Sequence, residues 1–240
     1  MSRPRTTRTD AVTRRRLPRA ALLHWLLDAE GCAQPDWSGR SARFGYRGVW
    51  TGLDARSITE ACRRQVFERT WGESLREKPQ ADVLVARVRE RGEAWLLQRL
   101  GLACRASALA VGQQSCREAM AAVGSGGLLL VSADAGSSTR HRFAANARRK
   151  HATVVEVSEG SRLGQALGRE FVSCAWTAQA PWRDDLAAVC HALFLLPESM
   201  IVGYEGAVHD GPAADAGGQD PAPPQDRVPG NRSRNGSRHR

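Results

Sequence analysis

Apolar and polar positions alternate along this chain in blocks of strand and helix length. The run AALLHWLLDAEG, 20–31, is a continuous apolar stretch that closes on a turn at 28–31. It reads as a buried strand or short helix. The next stretch, PDWSGRSARFGYRGVW, is broken by Gly and interleaved with aromatics, which predicts turns and short strands. Asp54 can cap a helix running to about 71, with Ile58, Ala61, Cys62, Val66 and Phe67 on its apolar side. Lys78-Pro79-Gln80 marks a joint. A charged helix follows from about 81 towards 107, with Val83, Leu84, Val88, Trp95, Leu96 and Leu100 as its buried face.

Beyond 107 the alternation is regular. Strands are expected over 108–111, 128–133, 152–157 and 171–176, the last of the chain. Between and after them come helices over 113–123, from a cap at Ser137 or Ser138 to 150, from a cap at Ser161 to 168, and over 184–196. Such alternation implies a layered α/β/α sandwich. The fold class is α/β: a small α+β domain followed by the sandwich. The expected division is 1–75 for the small domain with a basic arm over about 1–19, 76–92 for a linking helix, 93–205 for the sandwich, and 206–240 for a tail. The tail is rich in Gly, Pro, Ala and Asp and ends in arginines without an acid after 227, so it cannot bury a core and should be disordered.

Charge changes the picture from fold to partner. Formal net charge is +10 over 240 residues. The isoelectric point is near 10.3, which favours phosphate polymers or acidic surfaces. The positive charge is almost all arginine, the lysines being Lys78 and Lys150. Arginine suits forked phosphate contacts and stacking on bases. A codon bias towards arginine accounts for the choice equally well.

The six cysteines form no C-x-x-C pair and the histidines no metal-ligand pattern, so neither a zinc site nor a disulfide framework is expected. No G-x-S-x-G, GKS or GKT motif is present. The glycines of VGSGG, 123–127, close a helix and open a strand, the reverse of a dinucleotide loop. No catalysis, cofactor or metal is expected. No stretch reaches the roughly 20 apolar residues of a membrane helix, and the N-terminus lacks the apolar core of a signal peptide. A cytoplasmic protein is the expectation.

The candidate site lies in ALAVGQQSCREAM, 108–120. Gly112 stands where an apolar segment gives way to a helix, followed by Gln113, Gln114, Ser115 and, one turn on, Arg117. A helix start offers unpaired N–H groups and a partial positive charge, which suit a phosphate or a base edge. The plain alternative is a turn that only glycine fits. A second candidate is Arg40, Arg43 and Arg47 among Trp37, Phe44, Tyr46 and Trp50. There the arginines would hold phosphate, while most of the aromatics are the small domain's core. Arg162 is the third. Arg140, His141, Arg142, Arg148, Arg149, Lys150 and His151 crowd another helix and its end, where cations near the C-terminus need no ligand, with phosphate contact as a secondary role.

Two resemblances accompany these motifs. Residues 93–178 resemble the kink-turn-binding ribosomal proteins, the L-seven-Ae and L-thirty group. The likeness is carried in order by LGLACRASALAVGQQSCREAM, LLLVSADAGSSTRHRF and VVEVSEGSRLGQALGREF. It implies an α/β/α sandwich with RNA against the helix after Gly112 and the loop before Leu163-Gly164. Where that family carries Gly-x-Asn-Glu or Gly-Thr-Lys-Gln, this chain has Gly112, Gln113, Gln114 and Ser115. Glu118 stands where a lysine is common. Residues 8–71 resemble the YlxR family through LLHWLLDAEG, Pro35-Asp36, Gly39-Arg40 and Arg47-Gly48-Val49-Trp50. That family's Pro-Gly-Arg-Gly becomes Gly45-Tyr46-Arg47-Gly48, and its Arg-x-Cys becomes Arg8-Thr9-Asp10. The resemblances imply a non-catalytic binder of structured RNA, ribosomal or another stable RNA, in translation or RNA maturation. The alternatives are a regulator bound to duplex DNA and a protein-interaction scaffold on the translation machinery. Nothing in the sequence sets an oligomeric state.

Overall fold

A computed structural model describes residues 7–38 and 48–206. Arg40, Arg43, Arg47 and the tail beyond 206 lie outside the described residues.

The basic arm contains a hairpin. Strands β1 (Thr7–Thr9) and β2 (Arg16–Pro18) pair antiparallel. The one acid of the arm, Asp10, closes the turn: its carboxylate accepts from the Val12 N–H at 3.0 Å and the Thr13 hydroxyl at 2.6 Å. The small sheet that follows has the order β4-β3-β5, from β3 (Leu22–Leu27), β4 (Ala33–Asp36) and β5 (Val49–Gly52), all antiparallel. Trp25 at its centre is fully buried, donates its indole N–H to the Thr51 hydroxyl at 2.9 Å, and meets Phe67 edge-on at 5.2 Å.

The helix expected over 54–71 is two: α1 (Ala55–Arg63) and α2 (Val66–Trp71). Asp54 caps the first, accepting from the Ser57 N–H at 2.8 Å. Gln65, in a left-handed conformation with φ of 51°, makes the break. At about 100° per residue, a straight helix would place Ile58 and Phe67 on opposite sides. The break turns both into one core, where neither is exposed.

Helix α3 (Ala81–Arg105) is continuous through the boundary expected at 93. Leu84 and Val88 join the core of the small sheet and its helices, and Leu96, Leu100 and Ala103 that of the large sheet, in one continuous cluster. Val83, expected inside, is 39% exposed, and Trp95 is only half-buried. Gly92, Glu93 and Gly101 are buried instead.

The large sheet has the order β10-β8-β7-β9-β6. Its strands are β6 (Ala110–Val111), β7 (Leu128–Ser132), β8 (Thr153–Val157), β9 (Cys174–Thr177) and β10 (Ile201–Glu205). Only β7 and β8 pair in parallel. Side chains alternate between two cores as a pleated strand requires. Leu128, Leu130, Val155, Val157 and Ala175 face α3, α6 (Gly160–Leu167) and α7 (Ala180–Phe194). Leu129, Val131, Val154, Cys174 and Trp176 face α4 (Gln113–Ala122) and α5 (Ser137–Arg149). The sandwich therefore has helices on both faces, as expected from the alternation.

The strand ending at 176 is not the last. β10 follows α7 and pairs antiparallel with β8 at the sheet edge, with a bulge between Ile201 and Gly203. The helix caps also differ. Gly136, not a serine, precedes α5. The Asp134 carboxylate, not Ser161, meets the first amide of α6, accepting from the Gly160 N–H at 3.0 Å. Helix α7 starts at Ala180 rather than 184, with Pro181 in its first turn, where a missing N–H leaves no hydrogen bond unmade.

Candidate nucleic-acid interface

Gly112 is the pivot of the candidate site. Its φ of 89° and ψ of 165° belong to glycine alone, so the backbone requirement and the site coincide. Its N–H bonds the Cys174 carbonyl at 2.9 Å, which ties the turn to β9. With no side chain at Gly112 to cap α4, the first amides of the helix have no intrahelical acceptor. Gln113, Gln114 and Ser115 are exposed around them, and Cys116 turns inward.

Three arginines from three elements surround this start. Arg117, on α4 itself, donates to the Gln114 side-chain carbonyl at 2.9 Å. Arg142, on α5, reaches the Gln113 side-chain carbonyl at 3.4 Å. Arg169, just after α6, reaches the Val111 carbonyl at 3.5 Å, and its guanidinium lies 3.5 Å from where a Gly112 Cβ would stand. All three are exposed. Glu118 is the one acid in this group of contacts. It accepts from the Gln114 amide at 2.5 Å, so both polar atoms of Gln114 are engaged along the helix.

Sequence reasoning missed Arg169 and gave Arg142 only a secondary phosphate role. Arg142 was hidden in a crowd of cations on α5. Its neighbours are used structurally: Arg148 pairs with Glu205 at 2.7 Å, Arg140 with Glu156 at 3.6 Å, and Lys150 donates to the Val123 carbonyl at 2.6 Å. For Arg169 the available signal was Gly168, whose φ of 69° ends α6 and sends the chain back past Gly164.

Arg162 does not join this group. It points to α3 and pairs with Glu93 at 2.7 Å. The other oxygen of Glu93 accepts from the Met200 N–H at 2.6 Å. Arg162 thus pins α6 to α3 and to the approach to β10.

Of the small domain's aromatics, Phe44 and Tyr46 lie outside the described residues, and Trp37 and Trp50 have distinct places. Trp37 is core-facing: its indole N–H donates to the Val88 carbonyl at 3.1 Å. Trp50 stacks on His24 at 4.3 Å between ring centres, and the guanidiniums of Arg8 and Arg19 each lie 5.8 Å from its ring. A ring so surrounded is a hub for side chains rather than an open base platform. His24 sits in the middle of a cross-strand row, opposite Asp36 on β4 and Trp50 on β5. Its Nδ1 lies 3.4 Å from the Asp36 carboxylate. Burial holds its pKa below the ordinary histidine value, against the pull of Asp36 and with the help of Arg19 and Arg8.

The glycines of 123–127 have a packing task. A Cβ at Gly127 would collide with the Trp176 ring, and the Gly126 N–H bonds the Lys150 carbonyl at 2.6 Å. Among the described residues no three His, Cys, Asp or Glu side chains converge as metal ligands, and no helix is long and apolar enough to cross a membrane.

No family model and no curated protein matches the chain. Among solved structures it is similar to a protein of unknown function from Bacillus halodurans, with 28% identity over 39% of this chain and 94% of that one, at a TM-score of 0.36. It is also similar to a cytosolic protein of unknown function coded from the NusA/InfB region, a YlxR homologue, with 25% identity over 40% of this chain and 97% of that one, at a TM-score of 0.31.

Proposed function

We propose that the protein binds structured RNA and carries out no reaction on it, in the setting of translation or stable-RNA maturation in a bacterial cytoplasm. The observation that carries this reading is the α4 start, an uncapped helix N-terminus at Gly112 flanked by exposed Arg117, Arg142 and Arg169. Amides at a helix start and forked guanidiniums are the groups that hold phosphate. Their convergence from three elements fixes a shape, which is how folded RNA is distinguished. The order of the motifs, from the Gly112 turn to the Leu163-Gly164 helix, resembles the kink-turn-binding ribosomal proteins and supports RNA over DNA. Gln113 and Gln114 are the groups for a base edge. Gln114 must first leave Arg117 and Glu118, so phosphate and shape contribute more here than base reading.

The test is competition at physiological salt among a kink-turn RNA, an RNA duplex, single-stranded RNA and duplex DNA. Preference for the kink-turn RNA, weakened in Arg142→Ala, Arg169→Ala and Gln114→Ala, is the expected outcome. Equal binding to all four, unchanged by these substitutions, would remove the α4 start from the reading. Preference for duplex DNA would transfer it to a transcription or nucleoid regulator.

One observation favours a scaffold role as a second reading. Arg99 lies 4.6 Å over the Trp182 ring and 5.8 Å from Trp95, with Asp185 at 2.6 Å, where α3 and α7 meet and both rings are half-buried. Tryptophan and arginine are the residues most enriched at the energetic centres of protein interfaces. A protein partner retained at salt that abolishes RNA binding, and lost in Trp182→Ala, would select that role.

A further inference from the structure

The turn between β1 and β2 presents arginines that the fold itself does not use. Arg14, Arg15 and Arg16 are consecutive and exposed. Among the described residues none of their side chains has a hydrogen bond, an ion pair or a ring contact. Arginines elsewhere on the surface do have such partners: Arg63 and Arg64 share Glu60, Arg148 meets Glu205 and Arg183 meets Asp184.

The turn is built and anchored rather than loose. The Asp10 N–H donates to the Arg15 carbonyl and the Arg14 N–H to the Asp10 carbonyl, both at 2.9 Å. The buried Asp10 carboxylate is engaged inside the turn by the Val12 N–H and the Thr13 hydroxyl. Three contacts fasten it to the small domain. Val12 is buried in the core, the Ala11 N–H donates to the Trp50 carbonyl at 2.8 Å, and Arg64 donates to the Val12 carbonyl at 3.1 Å. Arg14 stands in the left-handed region at φ 62°, where glycine would be unstrained, yet the position holds a cation.

A fixed row of unpartnered like charges favours a polyanion, and guanidinium forks fit its phosphates. What the turn lacks narrows the choice. Residues 10–16 contain no aromatic side chain on which an unpaired base could stack. The Trp50 ring beside it is occupied by His24, Arg8 and Arg19. Such a surface meets backbone rather than bases, and duplex RNA is recognised by its phosphates and shape.

We propose that the turn bearing Arg14, Arg15 and Arg16 is a second RNA-binding element, which holds the phosphate backbone of a duplex stem. It rests on the RNA-binding reading above and adds to it a site in the small domain, separate from the α4 start. Helix α3 runs unbroken through a core shared by both sheets, so one continuous core carries both sites.

The test uses the full-length chain with Arg14→Gln, Arg15→Gln and Arg16→Gln combined, and a second variant with Arg14→Lys, Arg15→Lys and Arg16→Lys combined. Because these side chains hold no partner in the fold, both urea midpoints should match the wild type. An uninterrupted RNA duplex and a kink-turn RNA with duplex stems are titrated at several salt concentrations. The Gln variant should bind both more weakly, with the slope of log K against log salt flatter by roughly 2–3, as three lost phosphate contacts require. The Lys variant keeps the charge and should keep most of the slope. On single-stranded RNA the loss should be smaller. In the wild type, bound duplex RNA should shield the three arginines from phenylglyoxal, read by mass spectrometry. Wild-type binding of both RNAs by the Gln variant, an equal loss on single-stranded RNA, or undiminished phenylglyoxal modification would overturn the proposal. The α4 start is judged separately. Loss in the Arg142→Ala, Arg169→Ala double variant with none in the Gln variant sinks the turn alone. The reverse supports the turn and removes the α4 start.

Discussion

Trp37 lays its indole ring directly over Gly92. A Cβ at Gly92 would stand 2.5 Å from the ring and 2.9 Å from the Leu193 side chain. The same indole donates to the Val88 carbonyl one turn earlier on α3. This contact holds the turn after β4 to the middle of α3, opposite α7. Alanine in a helix interior is favoured over glycine by ~1 kcal/mol, but overpacking a filled core costs ~1–3 kcal/mol. Since a ring and a leucine must both move, Gly92→Ala is expected to lower the urea midpoint. An unchanged or raised midpoint would mean that Trp37 yields freely.

The Arg162–Glu93 pair separates a structural arginine from a ligand-binding one. Glu93 is buried and serves both Arg162 and the Met200 N–H. Glu93→Ala removes both partners at once and strands a cation that is about one-third exposed. The expected loss is ~2–3 kcal/mol, below the value for a fully buried pair because water reaches Arg162. Arg162→Ala should also destabilise, while RNA affinity per folded molecule stays unchanged. A large fall in affinity with an unchanged urea midpoint would restore Arg162 to the RNA site.

The sandwich was legible from strand and helix periods because its central strands are short, apolar and flanked by turn residues. β10 was not. Its Ile201-Val202-Gly203-Tyr204-Glu205 run is interrupted by glycine, carries an outward Val202 and relies on β8 for its pairing. The break at Gln65 was illegible because helix propensity is local, whereas the need to bury Ile58 and Phe67 together is not. For the site, Gly112 announced itself through its place between strand and helix. Arg142 and Arg169 arrive there only through tertiary packing, 30 and 57 positions further along (142 − 112 and 169 − 112). Arg162 looked equivalent in sequence, yet a buried carboxylate 69 residues away decides where it points.

His24 makes the stability depend on pH in a definite direction. Its folded pKa is lowered, chiefly by burial, with Asp36 opposing and Arg19 and Arg8 assisting. The unfolded chain therefore takes up the proton first as pH falls through about 6.5. Stability should be full at pH 7.5, fall as pH drops through that value, and level off below the folded pKa. His191, also lowered by burial, adds in the same direction. Urea midpoints of the wild type should drop between pH 7.5 and 5.5, and the drop should shrink in His24→Gln. A drop of unchanged size in that variant would assign the effect to His191 and the carboxylates.

Salt dependence distinguishes arginines that meet phosphate from those that hold the fold. Each phosphate contact releases counterions, so losing one reduces the slope of log K against log salt by ~0.7–0.9. Arg142 and Arg169 stand at the α4 start, whereas Arg148 is engaged by Glu205 through two bonds of 2.7 Å. Arg142→Ala and Arg169→Ala should each flatten the slope by about that amount. The double variant should lose about twice as much, because the two arginines come from different elements and, on the proposed reading, each meets its own phosphate. Arg148→Ala should leave the slope unchanged. Titrations of a folded RNA at several salt concentrations give all four values. A uniform flattening that includes Arg148→Ala would mean that attraction is spread over the whole basic surface and that the α4 start has no special part in it.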